Sequence, residues 1–164
     1  MKNTLLIFLV LTVIFYACRK EPVEVETDIS QKTPTEMLTA HAWKLSAFSV
    51  TPAIDWDGNG YMVTDIWTNM NQCKRDDIMR FFNDGSYERN EGDSMCHEFD
   101  LQIFQVGTWS FKGNNDSLVL VPGDCNCIKP YTLKVELLDM HYFVFSYTIK
   151  TGETDYTYTE SYSE

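Results

Sequence analysis

Histidine is scarce in this chain: His41, His97 and His141 are the only three in 164 residues. The segment HEFDL around the second has no partner histidine one helical turn on, so the paired histidines of a zinc metalloprotease are excluded. No Gly-x-Ser-x-Gly occurs either, which removes the serine nucleophile of an α/β-hydrolase. Basic side chains are few, 13 Lys and Arg against 24 Asp and Glu, for a net charge of −11. An acidic excess of that size disfavours nucleic acid and anionic membrane surfaces as partners. The longest apolar run, Leu5 to Ala17, is 13 residues, well short of the roughly 20 that a membrane-spanning helix needs. With these gaps the chain is expected not to be an enzyme.

What is present begins at the N-terminus. Lys2 followed by LLIFLVLTVIFYA has the charge and length of a secretory leader. Small Ala17 directly before Cys18 resembles a bacterial lipoprotein signal, in which the cysteine carries the lipid, although Phe15 and Tyr16 replace the usual leucine and small residue. That resemblance implies a signal peptide over 1–17 and a lipid anchor on Cys18. Residues 18–35 (CRKEPVEVETDISQKTPT) have no aromatic residue and few large apolar ones, so they cannot bury enough surface to offset their ordering entropy and read as a tether. CRKEPVEVE is similar to the signal that sends Bacteroidetes lipoproteins to the cell surface; a polar linker facing the periplasm is the alternative. The expected location is the cell envelope, as an outer-membrane lipoprotein, with the membrane touched through the anchor alone. Residues 36–164 are left for one folded domain, expected to be a monomer.

Assigning Cys18 to lipid leaves Cys73, Cys96, Cys125 and Cys127, an even set for an oxidising compartment. Four cysteines allow three connectivities. A Cys73–Cys96 bridge would anchor a long loop to the domain, and cross-pairing with Cys125 or Cys127 is the alternative. Cys96-His97 with Cys125-x-Cys127 supplies four zinc ligands, three thiolates and an imidazole, but at a spacing that matches no zinc pattern.

Thr33, Pro34 and Glu36 form a helix start, and that helix can run only to about Ala40. AWKLSAFSV then alternates as a first strand, with Trp43, Leu45 and Ala47 on one face. Residues 51 to 77 do not alternate. DWDGNG is a turn cluster, and Ile66, Trp67, Met70 and Cys73 fall on one face of a short helix with Asp65 as its cap. From Ile78 the strands come in succession: IMRFF, SYERN, VGTWSFK, SLVLV, YTLKVELL, HYFVFSYTIK and DYTYTESY. Eight sequential antiparallel strands joined by short turns predict an all-β, up-and-down barrel.

The run AWKL, DWDGNGYMVTDIW, CKRDDIMRFFNDGSY, EGDSMC, GTWSF and SLVLV resembles the lipocalin-like lipoprotein domains of Bacteroidetes, from about Met37 to the C-terminus. The resemblance implies a small β-barrel. The Gly-x-Trp that opens a true lipocalin is half present, with His41 at the glycine position before Trp43.

Asp55, Asp57 and Asn59 followed by Gly60 match the opening of an EF-hand loop, but position 12 is Ile66 and the nearest acid, Asp65, is one place early, so this is no EF-hand. Two readings stay open. Asp55, Asp57, Asn59 and Asp65, with the Tyr61 carbonyl, form a looser structural calcium site, with Asp76 and Asp77 as further candidates. Alternatively the same residues cap a metal-free turn through their own side chains.

Trp43, Trp109, Phe111, Phe143, Phe145 and Tyr147 are the candidate barrel lining. They either surround a ligand or fill the barrel outright, since eight strands leave room for little more than side chains. The expected function is that of a non-catalytic, lipid-anchored lipocalin-like protein binding a small apolar or amphipathic ligand. The alternative is an interaction module whose solid barrel meets a protein or glycan partner, with the tyrosines of the last strand as its aromatic patch.

Overall fold

A computed structural model describes residues 32–123 and 129–164. The leader and tether up to residue 31, Cys18 among them, lie outside the described residues, as do Cys125 and Cys127.

Helix α1 (Pro34–Leu38) is opened by a reciprocal cap: Glu36 N donates to Thr33 Oγ1 at 3.2 Å and Thr33 N to Glu36 Oε2 at 2.7 Å. Five residues cannot hold a helix alone. Burial of Leu38 and the bond from Trp43 Nε1 to the Leu38 carbonyl, 2.7 Å, hold it against the domain.

The strands are β1 (Ala42–Asp55), β2 (Met62–Asp65), β3 (Ile78–Phe81), β4 (Ser86–Asn90), β5 (Ile103–Lys112), β6 (Ser117–Pro122), β7 (Tyr131–Leu138), β8 (Tyr142–Thr151) and β9 (Thr154–Ser163). From β3 to β9 each pairs antiparallel with the next, and β1 pairs with both β3 and β9. Those eight strands close an up-and-down barrel, and closure hides the backbone edges that an open sheet would expose. The β1–β3 seam is short, Ala42 to Lys44, while β1 follows β9 from Lys44 to Thr51.

The long first connection differs from its reading as turn plus helix. β1 runs on through Asp55 and folds back as β2, which takes the edge of β1 that β3 leaves free. In place of the helix stand two single 3₁₀ turns, Trp67–Asn69 and Gln72–Lys74. Competing bonds explain this. Ile66 N is spent on Phe48 O at 2.9 Å, and Arg75 takes the Thr68 and Met70 carbonyls at 2.9 and 3.1 Å, acceptors that a continuing helix would use.

Inward-facing positions of the strands build the core: Trp43, Leu45, Met79, Phe81, Tyr87, Leu118, Leu120, Leu133, Phe143, Phe145 and Tyr162 are all buried. Trp43, Phe81 and Phe143 form the α1 end, with ring centroids 5.8 to 5.9 Å apart from Phe143. Gly107 makes a close fit in the core. A Cβ there would meet Val121 O at 2.3 Å and Tyr87 Cε1 at 2.6 Å, so only glycine lets β5 pass the Tyr87 ring.

Cys73 and Cys96 are disulfide-bonded, tying the second 3₁₀ turn to the loop between β4 and β5. Replacing both by serine is expected to lower the unfolding free energy by about 3 kcal/mol, from the loop-closure entropy returned to the unfolded chain. Urea denaturation would register it as a lower midpoint.

Candidate functional site

The period of two along a strand decides which side chains meet inside the barrel. On β4 it places Arg89 inward two residues after Tyr87, and on β9 it places Glu160 inward two residues before Tyr162. Tyr131 and Leu133 of β7, and Phe145 and Tyr147 of β8, follow the same rule. In the half of the barrel away from α1 these side chains do not fill the space, and a cavity of about 210 Å³ remains. Its apolar wall is Met79, Leu120, Leu133 and Phe145; its polar wall is Arg89, Tyr131, Tyr147 and Glu160.

The polar wall is a connected network. Arg89 Nη2 donates to Glu160 Oε2 at 3.3 Å and to Tyr162 Oη at 3.0 Å. Tyr162 Oη donates to Glu160 Oε2 at 2.6 Å, and Tyr147 Oη to Glu160 Oε1 at 3.2 Å. Burial works against the charge of the guanidinium, but Tyr162 and Glu160 beside it outweigh that and hold its pKa above the ordinary arginine value. Burial, with the negative Glu160 adjacent, likewise pushes both phenols above the usual tyrosine range. The wall is therefore a fixed cation–carboxylate pair flanked by two neutral phenols that donate inward.

Rings continue beyond the cavity. Tyr147 stacks on Tyr158 at 5.3 Å, Tyr158 meets Phe48 at 6.0 Å, and Phe48 meets Trp56 edge-on at 5.9 Å. Phe48 lies directly opposite Glu160 in the β1–β9 register, hence on the same face. Through Trp56 the DWDGNG turn is packed onto the far end of this aromatic row.

A second charged group lies where β3 begins and β4 ends. Lys74 is paired with Glu91, which is only 2% exposed. Glu91 Oε2 and Asp77 Oδ1 are buried without a hydrogen-bond partner among the described residues. Asp76 and Asp77 part company, as adjacent strand-end residues must. Asp76 accepts from Asp93 N and Ser94 N, both at 2.9 Å, and from Ser94 Oγ at 2.8 Å; although burial pushes it up, these bonds hold its carboxyl below the usual aspartate range. Gly92 in that loop has φ +65°, and a Cβ there would come within 2.0 Å of the Asp76 carbonyl.

Asp77 is pushed up to about 6, chiefly by burial; Lys74 and Arg89 pull it down, and Glu91 and Asp76 add to the rise. Folding thus raises this pKa above the ordinary 3.8. The folded state holds the proton more tightly, a contribution present below about pH 4 and lost as pH climbs through 6. Asp77→Asn cannot ionise. It is expected to gain roughly 1–2 kcal/mol on the wild type between pH 4 and pH 7.5, allowing for partial solvent screening, in unfolding midpoints measured at both pH values.

Of the six candidate lining residues, Phe145 and Tyr147 border the cavity. Trp43 and Phe143 pack the α1 end, and Trp109 and Phe111 lie half-buried against the core, with Trp109 Nε1 donating to Phe82 O at 3.1 Å. Sequence reasoning missed Arg89 and Glu160, although each stands in the inward phase of its strand; a charge at a core position was the available signal. Of the last strand's tyrosines, Tyr162 is buried, while Tyr156 and Tyr158 are half-buried, Tyr158 stacked on Tyr147.

Asp55, Asp57 and Asn59 lie together in the β1–β2 turn, where they serve the backbone. Gly60 N donates to Asp55 Oδ2 at 3.0 Å, Asn59 N to Asp57 Oδ1 at 3.3 Å, and Tyr61 N to Asn59 Oδ1 at 2.8 Å. Asp65, at the end of β2, caps the first 3₁₀ turn by accepting from Thr68 N at 3.1 Å. Among the described residues no three His, Cys, Asp or Glu side chains converge as metal ligands do. Comparison with protein-family models and with curated proteins finds no match.

Proposed function

We propose that this protein is a non-catalytic, lipid-anchored lipocalin-like protein of the cell envelope whose barrel holds one small amphipathic molecule. The observation that carries the reading is the cavity of about 210 Å³ inside the barrel, lined by four apolar side chains and four polar ones. Apolar pockets with a few convergent polar groups are what small-molecule sites look like. The size bounds the cargo. A cavity near 150 Å³ takes a benzene ring, so this one suits a molecule of about nine non-hydrogen atoms and is too small for a long acyl chain. None of the three histidines borders it, and its carboxylate is tied to Arg89, which favours holding over turnover. The leader and Cys18 supply the anchor in this reading.

The test is the mass of the full protein purified in detergent from its own membranes. The expected result is a chain beginning at a lipidated Cys18 with one small organic adduct; an unlipidated N-terminus and a bare barrel would overturn the proposal.

A second reading, an interaction module, has one observation in its favour. Phe99, Leu101, Ile103 and Val106, in the β4–β5 loop and on β5, are exposed, Phe99 at 88% and Leu101 at 73%. Apolar exposure in one place marks contact surfaces. That reading predicts an empty barrel that co-purifies with a protein or glycan, lost on Phe99→Ser.

A further inference from the structure

We infer that the cavity selects a neutral ligand bearing a carbonyl-type oxygen, received by Arg89, and discriminates against free carboxylates. This rests on the ligand-binding reading above and specifies its chemistry.

The argument is a count of donors and charges on the polar wall. Arg89 Nη2 is committed to Glu160 and Tyr162, and both tyrosine protons are committed to Glu160. No hydrogen bond among the described residues uses Arg89 Nε or Nη1. The side chain keeps 25% of its surface accessible although strands surround it, and it borders the cavity. The unspent N–H groups of the guanidinium, together with the Tyr131 hydroxyl, are thus the wall's free donors. These donors are partly open to solvent; a ligand that covers them without offering an acceptor leaves them unpaired at a cost, and an oxygen on the ligand removes that cost.

Charge decides which oxygen. Glu160 already neutralises Arg89, so the wall is balanced before anything binds. A second carboxylate would share one guanidinium with Glu160 and leave a net negative charge out of water, inside a chain whose own net charge is −11. An ammonium group would meet the reverse problem at Arg89. A ketone, amide or ester oxygen accepts the N–H without changing the balance. Met79, Leu120, Leu133 and Phe145, with the ring faces of Tyr131 and Tyr147, suit a mainly apolar body of the size given above.

Three probes of matched size separate the possibilities: acetophenone, benzoate and ethylbenzene, titrated calorimetrically into the full chain in detergent at pH 7.5. The expected result is acetophenone binding about tenfold more tightly than either of the others, the worth of one hydrogen bond to a charged donor. Arg89→Met with Glu160→Leu, which removes the pair while keeping the wall neutral, is expected to erase that advantage and leave ethylbenzene bound. Benzoate binding as tightly as acetophenone, or all three binding alike, would overturn the inference while leaving the cavity a binding site. Binding of none of them would overturn both.

Discussion

Arg89→Met is expected to lower the unfolding free energy of the barrel by about 3–5 kcal/mol, because it strands Glu160 inside the protein without its cation. Glu160 is 6% exposed, and its remaining partners are the two phenols. Neither can neutralise a carboxylate. The cost therefore comes from the charge left behind more than from the contact removed, and that origin has a signature. Adding Glu160→Leu to the same chain should restore at least half of the loss, since the pair repays little beyond its own desolvation. Urea midpoints of the two single variants and the double variant measure the coupling directly. A loss below about 1 kcal/mol for Arg89→Met alone would mean that water reaches and screens Glu160.

Trp43→Ala should cost a similar amount, about 3–5 kcal/mol, for a different reason. The ring is fully buried, packs against Phe143, and donates from Nε1 to the Leu38 carbonyl. Removing it opens a void at the α1 end and takes from α1 the bond that ties it down. With that bond gone and the packing around Leu38 loosened, a five-residue helix cannot hold itself. Amide hydrogen exchange should therefore show α1 losing protection at denaturant concentrations where β8 and β9 still keep theirs. Trp43→Phe, which retains most of the volume, should cost no more than about half as much while still freeing α1. Protection in α1 equal to wild type in both variants would show that the helix is held by other contacts.

The barrel was legible in the sequence because its strands carry their own pattern. YTLKVELL and HYFVFSYTIK alternate cleanly, and turns such as Asn83-Asp84-Gly85 and Thr151-Gly152 separate the runs. The extension of β1 was not legible. Thr51 to Asp55 and β2 lie beyond the core, are mostly exposed or half-buried, and pair through backbone alone, so no hydrophobic period marks them. The expected helix after Asp65 had a suitable apolar spacing, but spacing carries no information about Arg75 reaching back for two carbonyls. For the site, aromatic content pointed to the right interior and to Phe145 and Tyr147. It did not show which stretch of the interior stays empty, because that depends on how far side chains from six different strands reach toward one another. The Cys73–Cys96 bridge was one of the pairings the sequence left open, and the structure makes that one.

Central to the account is that the interior space is a place where a molecule binds, and one calorimetric titration tests it. Ethylbenzene is added to the wild-type chain and to Leu133→Trp, whose larger ring would occupy the space that Leu133 borders; circular dichroism confirms that the variant is folded. The account predicts one equivalent bound by the wild type and none by Leu133→Trp. Equal binding by the two, or no binding by either, would contradict it.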